Sequence, residues 1–278
     1  MIVSRRSTFI HNVLILWSLS CLLLAASPAN ASVFLEDKTW TELRDLISAG
    51  TTTIIIPIGG TEQNGPAMAL GKHNVRVKFL AAKIAERLGN ALVAPVISYV
   101  PEGTIDPPAA HMKFPGTITI SDRTFEQLLE SAASSFKLHG FKTIVLIGDH
   151  GSYQADESVV ADHLNAEWKK TPVRVFAALD YYRITQGPYV DKLLAAGAKH
   201  SEIGTHAGLA DTSLMLAIDP SLVRSDRLAA APKLGAGDGV YGGDPARSSA
   251  ALGQLGIDLI VDGTTDAIRE FISKQQPK

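Results

Sequence analysis

The stretch Thr52-Thr53-Ile54-Ile55-Ile56-Pro57-Ile58-Gly59-Gly60-Thr61-Glu62-Gln63-Asn64-Gly65-Pro66 decides the fold. Its first seven residues are β-branched or apolar and stop at a glycine pair. A run of that length reads as a buried strand followed by a turn. Next, Asn74 to Leu88 places apolar residues at 75, 77, 79, 80, 84 and 88 with charges between them, the pattern of an amphipathic helix. Ala91 to Val100 reads as a second strand. Ser121 and Asp122 cap a helix reaching about His139. Lys142 to Ile147 is a third strand that enters Gly148. Gln154 to Lys169 reads as helical and Arg174 to Leu179 as a fourth strand, with further helices in Thr212 to Ala217 and Ser249 to Ser273. This alternation predicts an α/β class, a mostly parallel sheet with helices on both faces. In such folds chemistry sits in loops beyond the carboxyl ends of the strands, here after Ile58 and after Ile147.

The chain has 278 residues, 46% hydrophobic and 19% charged, which excludes global disorder. Its 26 basic and 28 acidic residues do not suggest a nucleic-acid binder. Cys21 is the single cysteine, so a disulfide framework and a cysteine-based metal cluster are both excluded. Any metal must be held by histidines and carboxylates.

Residues 1–31 read as an export signal. Arg5 and Arg6 supply the positive start, Val13 to Ala26 is apolar apart from Ser18 and Ser20, and Ala29-Asn30-Ala31 is a small-x-small cleavage site. The apolar run is short for a membrane span. The expectation is a periplasmic or secreted protein without stable membrane insertion after cleavage. Its mature chain, residues 32–278, forms one domain. That mature chain lacks Cys and carries a formal charge of −4, with 24 basic against 28 acidic residues.

The two loops hold Glu62, His73 and His150, and a later segment, Thr205-His206-Ala207-Gly208-Leu209-Ala210-Asp211-Thr212-Ser213, adds Asp211. All four side chains are competent to bind zinc, manganese or iron, although by spacing alone each is a weak signal. Lys72 and Arg76 read either as recognising a substrate carboxylate or as a solvated helix start.

Four ordered motifs together resemble the creatininase (creatinine amidohydrolase) family: Pro57 to Pro66 continuing to His73, Phe114-Pro115-Gly116-Thr117 with His111 ahead of it, Gly148 to Tyr153 around His150, and His206-Ala207-Gly208 followed by Asp211-Thr212-Ser213. The resemblance implies a three-layer α/β fold, a homo-oligomer, hydrolysis of C–N bonds in cyclic or linear amides, and two metals bridged by a carboxylate. It also implies that His206 lies near the substrate and that Tyr181 and Tyr182 lie near the pocket wall.

The departures fall on the implied ligands. Asn64 stands for a family His, His73 for the bridging Asp and Asp211 for a Glu. A neutral imidazole offers one lone pair to one metal and does not bridge. Asn64 offers only a neutral carbonyl oxygen. The expectation is therefore one divalent metal per chain, zinc or manganese, held by Glu62, His73 and His150, with Asp211 as fourth ligand or as general base. His206 is expected to transfer a proton to the leaving nitrogen. Asn64, His111, Tyr181 and Tyr182 are expected to contact a small-molecule substrate. The leading reading is an exported metal-dependent hydrolase cleaving a small amide or lactam through a metal-activated hydroxide. The alternatives are a lyase, isomerase or C–O hydrolase acting on a sugar-like substrate, or a non-catalytic binding protein on the same fold.

Overall fold

A computed structural model describes residues 32–230 and 234–275. The expected export signal, residues 1–31, lies outside them. In chain order the main elements are α1 (Trp40–Ser48), β1 (Thr53–Ile58), α2 (Lys72–Leu88), β2 (Ala91–Val93), α3 (Asp122–Leu138), β3 (Thr143–Gly148), α4 (Gln154–Glu167), β4 (Arg174–Ala177), α5 (Asp180–Gln186), α6 (Pro188–Ala195), α7 (His200–Ile203), β5 (Gly204–His206), α8 (Leu209–Ile218), α9 (Ser225–Ala230), β6 (Tyr241–Gly243) and α10 (Ala250–Ser273).

Four strands form a parallel sheet in the order β2-β1-β3-β4, with β1 and β3 paired from Thr53↔Thr143 to Ile58↔Gly148. Successive side chains of a strand face opposite sides, and the core divides accordingly. Ile54, Ile56, Ile58, Ile144 and Leu146 pack with Phe125, Leu129, Val160 and Leu164 of α3 and α4. Ile55, Val145 and Ile147 pack with Leu80 and Ile84 of α2, Leu214 of α8 and Ile260 of α10 on the other face. The result is the α/β sandwich expected from the sequence.

The helix boundaries follow local chemistry. Ser121 accepts the Thr124 amide and starts α3, and Gly89, at φ 79°, ends α2 in the left-handed conformation. The expected strand over Ala91–Val100 stops at Val93, because Pro95 has no N–H to donate. The chain continues beside β1 only through an isolated bridge at Ile97. A Cβ on Gly59 would stand 2.2 Å from Asn74 Oδ1 and 2.9 Å from the Asn74 backbone. The absence of a side chain there lets the first turn of α2 close over the end of β1. A small antiparallel pair, β5 with β6, carries His206 opposite Tyr241.

Candidate metal centre

The loops leaving β1 and β3 are tied together by one buried hydroxyl. Tyr153 donates to the Gly59 carbonyl at 2.6 Å and accepts from the amides of His150 at 3.0 Å and Asp149 at 3.2 Å. Glu62 and His150 are thereby fixed relative to each other. The loop after β2 brings Glu102 beneath them, and the short helical turn Ala110–Lys113 brings His111. One ligand atom from each of Glu62, Glu102, His111 and His150 lies within 4.8 Å of all the others.

This group has unmet electrostatic needs. Glu62 Oε2 and both oxygens of Glu102 are buried without a hydrogen-bond partner among the described residues. Burial and the neighbouring Glu62 raise the Glu102 carboxyl to about 9. Burial also opposes the charge on Glu62, yet contact with His73 holds its carboxyl well below the usual range. Burial pushes the His150 imidazole down to about 3, so the ring is neutral and has a lone pair to give. The ring's orientation suits a ligand. Ser152 holds Nδ1 from two sides, its Oγ lying 2.8 Å away and its amide donating to Nδ1 at 3.2 Å, while Oγ also donates to Pro101 O at 2.7 Å. That turns Nε2 towards Glu62 Oε2, 3.4 Å away. Two carboxylates and two imidazoles around one point fit a single divalent cation.

The structure gives several of the expected residues other partners. His73 sits between two carboxylates, with Nδ1 2.6 Å from Asp149 Oδ2 and Nε2 2.7 Å from Glu62 Oε1. Both nitrogens are spent, so His73 anchors Glu62 and offers no lone pair to a metal. Asp211 is likewise spent, because its Oδ1 accepts from Arg76 Nη1 at 2.7 Å and its Oδ2 from Lys72 Nζ at 2.8 Å. Despite its burial, those two cations keep its carboxyl well below the usual range, which does not suit a general base. Asn64 turns its amide to the Glu62 and Ala69 carbonyls, 2.9 Å each, and does not line the cavity described below. Tyr181 is fully buried and donates to Asp149 Oδ1 at 2.6 Å, so it supports the site from behind.

His111, His150, Tyr182 and His206 do line a common cavity of about 200 Å³, with Tyr189, Thr205 and Tyr241 on its other walls. A Cβ on Gly151 would stand 2.7 Å from the Tyr182 hydroxyl, so the glycine makes room for that ring. His206 is followed by Ala207 at φ +53°, a left-handed residue whose amide is held by Asp211 Oδ2 at 3.0 Å. The sequence reading missed Glu102, Asp149 and Gln63. Glu102 carried a signal, since an acidic residue between Pro101 and Gly103 follows the expected end of the second strand.

An α/β sandwich with histidines and carboxylates gathered at the carboxyl ends of its strands defines the class of a metal-dependent hydrolase. The creatininase profile, described as creatinine amidohydrolase, matches residues 36–268. The chain belongs to the creatininase family. It is 29% identical over 257 residues to a creatinine amidohydrolase of Pseudomonas putida, covering 86% of this chain and 97% of that protein. It is 26% identical over 195 residues to a 3-dehydro-scyllo-inosose hydrolase of Thermotoga maritima, covering 70% of this chain and 58% of that one. Among solved structures it is similar to a manganese creatininase, with a TM-score of 0.70 and 27% identity over 86% of this chain and 98% of the other. Members of the family are metal-dependent amidohydrolases, and this chain is an enzyme of that type. That sets aside the reading as a non-catalytic binding protein.

Proposed function

We propose that this enzyme hydrolyses a C–N bond in a small amide or lactam at a centre holding one divalent ion between Glu62, Glu102, His111 and His150. The observation that carries this reading is the convergence of those four ligand atoms within 4.8 Å, with three carboxylate oxygens unpaired. A zinc or manganese ion bound there supplies Lewis acidity, polarising a carbonyl and lowering the pKa of a water. The residues of the chain do the rest. Tyr182 and Tyr189 offer aromatic faces to a planar group in the cavity. His206 lies on the same wall and donates Nε2–H to the Gln63 carbonyl at 2.9 Å. That hydrogen bond leaves Nδ1 as the proton acceptor, and His206 carries a proton to the leaving nitrogen.

The likeness to an inosose hydrolase supports a second reading, hydrolysis of a cyclic polyol-like substrate at the same centre. Metal analysis of the purified chain, followed by a product screen across amides, lactams, lactones and glycosides, tests both. Ala changes at Glu62, Glu102, His111 and His150 should each weaken metal binding severely. A chain that binds no divalent ion at these residues overturns the proposal.

The sequence supports export and the family supports a homo-oligomer. Trp40 and Leu138 leave large apolar side chains exposed, as an interface between copies would require. Light scattering at micromolar concentration checks the assembly, and a monomer alone counts against it. No helix among the described residues is long and apolar enough to cross a membrane.

A further inference from the structure

Of the residues that the motif resemblance sets at a second metal position, His73 and Asp211 are committed to other partners. His73 bridges two carboxylates, and Asn64 keeps only its neutral Oδ1 unpaired. Asp211 accepts from two cationic side chains and an amide. Those cations, Lys72 and Arg76, are buried, with 0% and 3% of their surface exposed. Lys72 lies 2.8 Å from Asp211 and 3.8 Å from Glu62. Arg76 spans two carboxylates, with Nε 2.8 Å and 3.0 Å from the oxygens of Asp149 and Nη1 2.7 Å from Asp211. They neutralise the acidic cluster in the manner of a bridging ion.

Resting on the one-ion reading above, we propose that Lys72 and Arg76 take the place of a second divalent ion, so that the centre works with one exchangeable metal and two permanent side-chain cations. Charge balance supports this. Glu62, Glu102, Asp149 and Asp211 bring four negative charges when ionised, and Lys72 and Arg76 return two. One divalent ion then balances these six side chains. A second would leave two uncompensated positive charges in a buried volume, and the donation from both His73 nitrogens to carboxylates widens that surplus. Placement adds a further argument. Lys72 is the first residue of α2, where the helix dipole disfavours a cation, so its burial there depends on Asp211 and Glu62. A solvated helix start has no such dependence. Lys72 and Arg76 are thus positioning residues that hold Asp211 and Asp149 and keep a metal out.

The test is metal content and position, without reference to activity. Wild-type protein equilibrated with millimolar Mn²⁺ should hold one ion per chain by elemental analysis. Anomalous diffraction should show one peak, among Glu62, Glu102, His111 and His150. Lys72→Met combined with Arg76→Met should free Asp149 and Asp211 and raise the content towards two. Adding Asp211→Asn should return it to one, and Lys72→Arg alone should leave it at one. A wild-type peak within coordination distance of Asp211 overturns the proposal, as does a folded double variant that stays at one ion. If the double variant does not fold, the wild-type map decides. A missing peak at the first position with none at Asp211 overturns the proposed function instead, which keeps the two failures apart.

Discussion

His73 meets Glu62 Oε1 at 2.7 Å and leaves Glu62 Oε2 without a partner, so one carboxylate is anchored at one oxygen and free at the other. Behind His73 stands Asp149, which in turn accepts from Arg76 and from Tyr181. In front of Glu62 stand the imidazoles of His111 and His150, 3.2 Å and 3.4 Å from Oε2. The site therefore has a rigid, fully paired side and an unpaired side that faces a metal. Rigidity behind a ligand is what fixes its aim.

The same logic reaches His150 through Ser152. Ser152 meets His150 Nδ1 with both its Oγ and its amide and so turns Nε2 towards Glu62. Ser152→Ala should lower metal affinity by about 10–100-fold, the usual cost of losing such a partner. Competition with a coloured chelator measures it. An unchanged affinity in a folded variant would show that His150 is not aimed by this contact.

Much of the fold was legible because its signals are local. Ile54–Ile58 is apolar without a break, and Ser121 stands where a cap is needed, so strand and helix follow from neighbours in sequence. The site was legible only in part. Motif spacing pointed to Glu62 and His150 as partners, and the structure brings them together. It did not reveal which atoms of His73 face which carboxylates, because that depends on Asp149, 76 residues away. Lys72 and Arg76 looked like a solvated helix start because burial of a charge depends on a partner contributed by α8. Glu102 was passed over because Pro95 ends β2 early and sends the chain under the site, a path that composition does not show.

Export gives a test independent of the site. Protein recovered from the native host should begin at Ser32, after the Ala29-Asn30-Ala31 cleavage site. N-terminal sequencing settles the point, and an intact Met1 on a cytoplasmic protein rejects it.

Glu157 predicts a pH dependence of stability. It is fully buried on α4, neither oxygen has a hydrogen-bond partner among the described residues, and burial with Asp156 beside it pushes its carboxyl well above the ordinary range. A carboxyl raised in the folded state binds its proton more tightly there than in the unfolded chain. Its stabilising contribution is complete below the unfolded value of about 4.3 and is lost as pH rises towards the folded value. The slope from this one group is at most about 1.4 kcal/mol per pH unit. Glu157→Gln keeps the shape and removes the charge. Melting curves from about pH 5 to about pH 9 should fall less steeply for the variant than for the wild type. Parallel curves would mean that Glu157 is ionised in the fold.

His206 carries the catalytic prediction. Its Nε2 donates to the Gln63 carbonyl at 2.9 Å, and burial, reinforced by Lys72, pushes its imidazole down to about 3, so the ring enters the reaction neutral. A neutral ring with one nitrogen tied to a carbonyl can take a proton on the other and release it to a leaving nitrogen. His206→Asn retains a donor for Gln63 and removes the proton acceptor. The variant should lose about a hundredfold or more in kcat while its metal content stays unchanged. A lower melting temperature with unchanged turnover per folded molecule would make His206 a structural residue. Loss of the metal would instead move His206 into the ligand set, which its 3.5 Å distance from Glu62 Oε1 makes a real alternative to measure. Rate, melting curve and metal content taken on the same preparation separate the three.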